Sequence, residues 1–214
     1  MIHLLPIGAT EAHGPHLPLD TDTIIAGELA RRVALRLPDA RVHEPFTATA
    51  ASYAADFAGT QHHDPIDETR ALVRVVDELY PARVVLLNLH FDPAHMLAVK
   101  EAVARVPNAV YPNFTRRAHA QEIGGEFATG ACHGGEFETS LMLVAAPGKV
   151  RPTFRALPEV HVDLAAAIRA GKKTFREAGV HDAYCGHPAT ASREEGGRLY
   201  SVLVDIVMAE IARA

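Results

Sequence analysis

An α/β fold with a mainly parallel sheet is the architecture this sequence predicts, and three observations carry it. Short apolar runs alternate with longer segments of helical periodicity along the whole chain. The clearest run, Val84-Val85-Leu86-Leu87, is apolar on both faces, as a central parallel strand must be. No repeat, low-complexity tract or linker divides the 214 residues, a length that suits one domain spanning 1–214.

Each element has its own signal. Residues 2–8 form a short apolar run closed by Gly8, which reads as a buried strand. The stretch 9–21 is rich in Gly, Pro, His and Asp and reads as a loop. From Asp22 to Leu37 the apolar residues Ile24, Ile25, Leu29, Val33, Leu35 and Leu37 recur at helical spacing. The preceding Thr-Asp-Thr offers an N-cap and Pro38 a stop. A weak strand is expected at 41–46 and a long loop at 47–66. A helix at 67–80 buries Leu72, Val75, Val76 and Leu79, ahead of the strand at 84–87. Helix 93–105 and a short strand at 109–111 complete a further βαβ-like unit. Helices are also expected at 137–146, 161–178 and 194–213, the last with a stripe through Leu199, Val202, Leu203, Ile206, Val207 and Ile211.

Composition narrows the function. Forty-eight per cent hydrophobic residues place the chain far from disorder. Lys and Arg number 21 against 26 Asp and Glu, a net charge of −5 without a basic cluster, which argues against a nucleic-acid partner. No apolar run approaches the roughly 20 residues that cross a bilayer, so no membrane span is expected. The opening MIHLLPIGATEAHG has no basic leader or cleavage signature. Cys132 and Cys185 form no CxxC pair and are too few for a disulfide scaffold. The expectation is a cytoplasmic protein with a small-molecule substrate.

Thirteen histidines stand out, and they are grouped. Any one of them alone reads more readily as a surface or core imidazole; the grouping makes the case. In an open parallel sheet, ligands bind beyond the carboxyl ends of the strands, where these histidine-bearing loops fall. The first loop, TEAHGPHLPLDTD at 10–22, carries Glu11 and His13, two apart and so on one face of an extended segment. The second, NLHFDPAH at 88–95, repeats the spacing with His90 and Asp92. The third, GACHGGEFETS at 130–140, carries His133, Glu136 and Glu138 around a Gly-Gly turn. Three loops with histidine and carboxylate supply the N/O ligand set that suits Zn, Mn or Fe. The donors outnumber the needs of one tetrahedral ion, which suggests two ions sharing a carboxylate.

The segments LPIGATEAHGPHLPLDTDTIIA, FAGT, HGGEFETS and HPATASREEGGRLY, in this order from residue 4 to about residue 200, resemble the creatininase (creatinine amidohydrolase) family. The resemblance implies a three-layer α/β fold, a mostly parallel central sheet flanked by helices, and a metal-dependent amidohydrolase with two divalent ions per subunit and a homo-oligomer, commonly a hexamer. Carried over by motif, Glu11 and His90 would hold one metal and His13 and Glu138 the other, with Asp22 bridging both. His133 would contact substrate and move protons. Asp92 falls where creatininases proper carry a glutamate near the first metal, and is a candidate ligand or proton carrier. Creatininases proper pack creatinine against tryptophans, and this sequence has no Trp, which argues against creatinine. The family also includes formamide hydrolases and a peptidase that trims a cofactor precursor peptide. A non-catalytic metal- or ligand-binding homologue, and another hydrolytic or isomerising reaction on the same site, are the alternatives. A covalent mechanism through Cys132 is a minor one. Asp20 competes with Asp22 as the bridge, His16 reads as a loop stabiliser, Glu136 as a candidate substrate contact, His62 and His63 as exposed, and His95 has no assigned role.

Overall fold

Four parallel strands and the helices between them follow the expected alternation. In the computed structural model, which describes residues 1–130 and 133–214, β1 (Ile2–Ile7), β2 (Ala40–Val42), β3 (Arg83–Asn88) and β4 (Ala109–Val110) form a sheet of order β2-β1-β3-β4. All three pairings are parallel, the longest running in register from Ile2 opposite Arg83 to Ile7 opposite Asn88. α1 (Thr21–Arg36), α2 (Pro65–Asp77) and α3 (Pro93–Val103) are the crossovers.

The period-two alternation of β3 divides the core into two layers around the sheet. Val84 and Leu86 pack with Leu72 and Val76 of α2 and with Val99 and Ala102 of α3. Val85 and Leu87 face the other way, towards α1, α6 (Glu136–Ala145) and the long α8 (Arg193–Arg213). Each fully buried aliphatic side chain of β3 contributes about 1.5–3 kcal/mol. Among the described residues, no helix is long and apolar enough to cross a membrane.

Where the structure departs from expectation, short-range chemistry explains it. The expected helix 161–178 contracts to α7 (Leu164–Arg169). The Asp163 carboxylate accepts from Ala166 N at 2.7 Å to start it, and Gly171, at φ +79°, turns the chain out of it. α4 (Arg117–Ile123) and α5 (Gly125–Thr129) are too short to display an apolar period and were not expected. β2 stops at Val42 because Pro45 has no N–H for a ladder, although Phe46 N still donates to Pro6 O at 2.9 Å.

The start of α1 also differs. The Thr-Asp-Thr does not cap the helix: Thr21 Oγ1 donates to Pro18 O at 2.6 Å and Thr23 Oγ1 to Ala9 O at 3.2 Å. Asp20 sits at the cap position, makes no side-chain cap bond, and pairs with Lys149 at 2.7 Å. Asp22 is thereby freed to point inward from the first turn. A Cβ on Gly8 would lie 2.5 Å from Thr23 Cα, so only glycine lets the end of β1 approach the start of α1 this closely.

Candidate metal centre

Five elements deliver side chains to one point beyond the carboxyl ends of β1 and β3. Glu11 and His13 leave β1 in a segment pinned by Glu11 N to Leu19 O at 3.0 Å and by Ala12 N to Thr60 Oγ1 at 3.1 Å. Asp22 comes from the first turn of α1, His90 from just past β3, His133 from before the Gly-Gly bend, and Glu138 from the first turn of α6. All six are buried. Both acidic helix residues lie at helix N-termini, where the dipole favours an anion.

The distances sort these groups around Asp22. His90 Nδ1 lies 3.0 Å from Glu11 Oε1 and 3.1 Å from Asp22 Oδ2. His13 Nε2 lies 3.1 Å from Asp22 Oδ1 and 3.6 Å from Glu138 Oε2. The two oxygens of Asp22 thus face two different histidines. Among the described residues, three groups have the mutual spacing of metal ligands: Glu11, Asp22 and His90; His13, Asp22 and Glu138; and Glu11, His13 and His133.

Each imidazole is held by its outward nitrogen. His90 Nε2 donates to Ala50 O at 2.8 Å, His13 Nδ1 to Glu11 O at 3.0 Å, and His133 Nε2 to Ala12 O at 2.8 Å. In the neutral ring this leaves the inward nitrogen as a lone pair, the arrangement of a metal-ligating histidine. Among the described residues, His13 Nε2, His90 Nδ1 and Asp22 Oδ2 are buried without a hydrogen-bond partner. Such orphans are costly unless a cation or proton joins them. The N/O donor set suits zinc, manganese or iron.

The electrostatics point the same way. Burial opposes charge on His13, but Asp22, Glu138 and Glu11 outweigh it and push its pKa up to about 10. His90 is also raised, burial being overcome by Glu11 and Asp22. Burial raises Glu138 to about 8 and also raises Glu11. Asp22 goes the other way, because His13 and His90 outweigh its burial. His133 is pushed well below the usual imidazole value by burial and then by His13. A protein proton and a divalent cation therefore compete for the same positions.

Asp92 is brought to the edge of this cluster but lies in none of the three groups. Its carboxylate caps α3, accepting from Ala94 N at 2.9 Å and His95 N at 3.4 Å. It also accepts from Ser52 Oγ at 2.9 Å and Tyr53 N at 2.8 Å, tying the 50–53 loop to the helix. His16 is buried with Nε2 2.9 Å from Thr139 Oγ1, and His62 and His63 are exposed. Cys132 lies outside the described residues. Cys185 is buried, and burial pushes its thiol up to about 12.

Two acids escaped the sequence reading. Glu126 holds the bend from behind, its carboxylate accepting from Phe137 N at 3.0 Å and His187 N at 2.6 Å. Glu68 lies under His90, bonded to His95 and to Ala50 N. A glutamate in a helix's first turn reads as a solvated, dipole-favoured charge, so neither carried a signal.

The bend itself depends on Gly134. Its φ is +63°, and a Cβ there would stand 2.9 Å from Tyr184 Cβ and 3.1 Å from His13 O. Gly134 N also donates to Glu138 Oε2 at 2.6 Å. Gly134→Ala is expected to lower stability by about 1–3 kcal/mol in urea unfolding and to weaken metal uptake, since relieving the clash shifts the bend and with it the backbone N–H that anchors Glu138. A variant as stable as wild type would contradict this.

A cavity of about 420 Å³ opens onto Glu11, Asp22, His133 and Glu138. The rest of its wall is mainly apolar, with Tyr53, Phe91, Phe127, Leu164, Ile168 and Phe175 prominent. Phe175 packs against His133, the rings tilted by 30° with centroids 4.3 Å apart.

Fold and site together define an α/β protein with a buried cluster of candidate metal ligands at its strand ends. The chain belongs to the creatininase (creatinine amidohydrolase) family, whose pattern it matches over residues 1–211, and it is a hydrolase of that family. It is 34% identical over 232 residues to the mycofactocin precursor peptide peptidase of Mycobacterium tuberculosis, covering 98% of this chain and 84% of that protein. Among solved structures, a creatininase variant of Zn–Zn type superposes with a TM-score of 0.74 at 22% identity, over 99% of this chain and 90% of that one. A manganese creatininase superposes with a TM-score of 0.69 at 24% identity, over 99% and 90%. The α/β fold expected from the sequence is the fold of these neighbours.

Proposed function

We propose that this chain hydrolyses an amide-type C–N bond in a peptide-like substrate, using water activated by two divalent cations. The observation that carries the reading is the division of the cluster about Asp22, one oxygen towards His13 and the other towards His90. Glu11 and His90 would hold one ion, His13 and Glu138 the other, and Asp22 both. Bound there, the ions supply Lewis-acid polarisation of the carbonyl and a water acidic enough to attack near neutral pH.

The chain's own groups do the rest. His133 presents Nδ1 as a lone pair at the mouth of the cluster, so it can take a proton from the attacking water and return it to the leaving nitrogen. Asp92, whose oxygens already serve four donors, is assigned to orienting the 50–53 loop and α3 beside the cavity rather than to proton transfer. The aromatic wall excludes water and favours a substrate with an apolar group next to the scissile amide. The peptidase relative supports a peptide over creatinine, as does the absence of Trp.

The test begins with metal content per chain after loading with Zn²⁺ or Mn²⁺. Chelator-sensitive cleavage is then measured on short peptides with apolar or charged residues at the scissile bond, alongside formamides and creatinine. Two ions per chain and preference for apolar peptides support the reading. Fewer than one ion per chain favours the non-catalytic homologue, and undiminished hydrolysis by chelated protein rules the mechanism out.

A further inference from the structure

Beneath His90 lies a buried polar circuit that the proposed chemistry does not use. Glu68 of α2, His95 of α3 and Asn88 at the end of β3 are each at most 1% exposed. His90 Nε2 donates to Ala50 O at 2.8 Å, and Ala50 N donates to Glu68 Oε2 at 2.8 Å. Glu68 Oε1 lies 2.5 Å from His95 Nδ1, and His95 Nε2 lies 2.9 Å from Asn88 Oδ1. Asn88 closes the circuit on the backbone of His90, accepting from its N–H at 3.0 Å and donating Nδ2–H to its carbonyl at 2.8 Å. Four segments of chain are thus tied to one histidine at both its ring and its main chain.

The protons can be counted. Asn88 Oδ1 accepts from a backbone N–H, so it is the carbonyl oxygen, and His95 Nε2 must donate to it. One proton is then shared between Glu68 Oε1 and His95 Nδ1. Wherever it sits, the pair is neutral overall, which is how two titratable groups are buried without a lone charge. Such a unit is suited to holding geometry.

We infer that Glu68 and His95 are positioning residues for His90, fixing its ring so that Nδ1 faces Glu11 and Asp22, and so set the affinity of one of the two proposed ions. The inference rests on the dinuclear reading above. His13 and Glu138 are fastened separately, through Glu11 O and Gly134 N, so the other ion is independent of this circuit.

The circuit makes an asymmetric demand on position 68. A glutamine can accept from Ala50 N with its oxygen and donate to His95 Nδ1 with its amide, completing every bond. A leucine leaves Ala50 N and His95 Nδ1 unpaired. The experiment is a Zn²⁺ titration of wild-type, Glu68→Gln and Glu68→Leu chains against a chromophoric chelator, with thermal unfolding of each. Glu68→Leu is expected to weaken one ion by about 10–100-fold, the cost typical of losing a metal ligand's supporting partner, and to leave the other within threefold. Glu68→Gln is expected to keep both within about threefold. If Glu68→Leu does not fold, His95→Gln carries the same test, since its side chain cannot reach both Glu68 and Asn88.

A folded Glu68→Leu chain that binds both ions as wild type does, or weakens both equally, overturns the inference, as does Glu68→Gln behaving like Glu68→Leu. The wild-type titration judges the dinuclear reading separately: a single ion per chain overturns that reading. The comparison then falls on that one ion, where loss in Glu68→Leu with retention in Glu68→Gln supports the positioning role and unchanged affinity overturns it.

Discussion

An Asp22→Ala chain is expected to lose both ions of the proposed centre, and with them at least about 10³ of its turnover, the upper scale of removing one group that stabilises the oxyanion. The expectation follows from the two oxygens. Oδ1 lies 3.1 Å from His13 Nε2 and Oδ2 3.1 Å from His90 Nδ1, so a single carboxylate completes both ligand sets. Removing Glu138 instead leaves Glu11, Asp22 and His90 together, and one position survives. Elemental analysis of gel-filtered protein separates these cases, because Glu138→Ala should keep about one ion where Asp22→Ala keeps none. Asp22→Asn is a finer probe. Its amide retains one acceptor and turns a donor towards the other histidine, so at least one ion should be lost. Should Asp22→Ala retain two ions at wild-type affinity, the bridge is misassigned and the division of the cluster fails with it.

How far the sequence reaches can be judged from particular residues. Val84-Val85-Leu86-Leu87 announced β3 because a strand buried on both faces needs no polar alternation, and both layers of core do pack against it. Glu11 and His13 were legible as a pair because an extended segment after a strand has period two. Glu138 was legible from its place beside His133 and the Gly-Gly turn, and Asp22 only through the family motif, since an acid in a first turn has an ordinary explanation in the helix dipole. Asp92 carries two readings at once. Asp92-Pro93 is a helix-start signal, as is Asp64-Pro65, whose aspartate caps α2 through Ile66 N at 2.8 Å. The same carboxylate seen beside His90 suggested chemistry, and its capping bonds are visible only in three dimensions.

Glu68 and His95 mark the deeper limit. They are 27 residues apart on two helices, and each alone fits a helix surface. Their pairing depends on α2 and α3 packing on the same face of the sheet, a tertiary fact with no local pattern. The short α4 and α5, and the truncation of α7 at Gly171, were lost for the complementary reason: they are decided by one or two residues rather than by a period.

Removing His133 is expected to have the second largest effect, and a different signature. Because Asp22, Glu11, His13, His90 and Glu138 are untouched, His133→Ala should bind its ions as wild type does while kcat falls by about 10²–10⁴, the range for a positioned general acid–base. The ring is placed for that work. Its Nε2 donates to Ala12 O, Phe175 packs against one side, and Nδ1 faces Glu11 Oε1 at 3.9 Å. Burial keeps the ring neutral at pH 7, so Nδ1 carries a lone pair towards the cluster. The returning proton matters most when the departing nitrogen is strongly basic. Anilide substrates, whose nitrogen leaves with less help, should therefore lose less than alkyl amides in the His133→Ala chain. Equal losses on both would mean that His133 holds substrate or orders the site without carrying the proton. A drop in ion content would instead make it a ligand of the Glu11 and His13 group, a role its Nδ1 also faces.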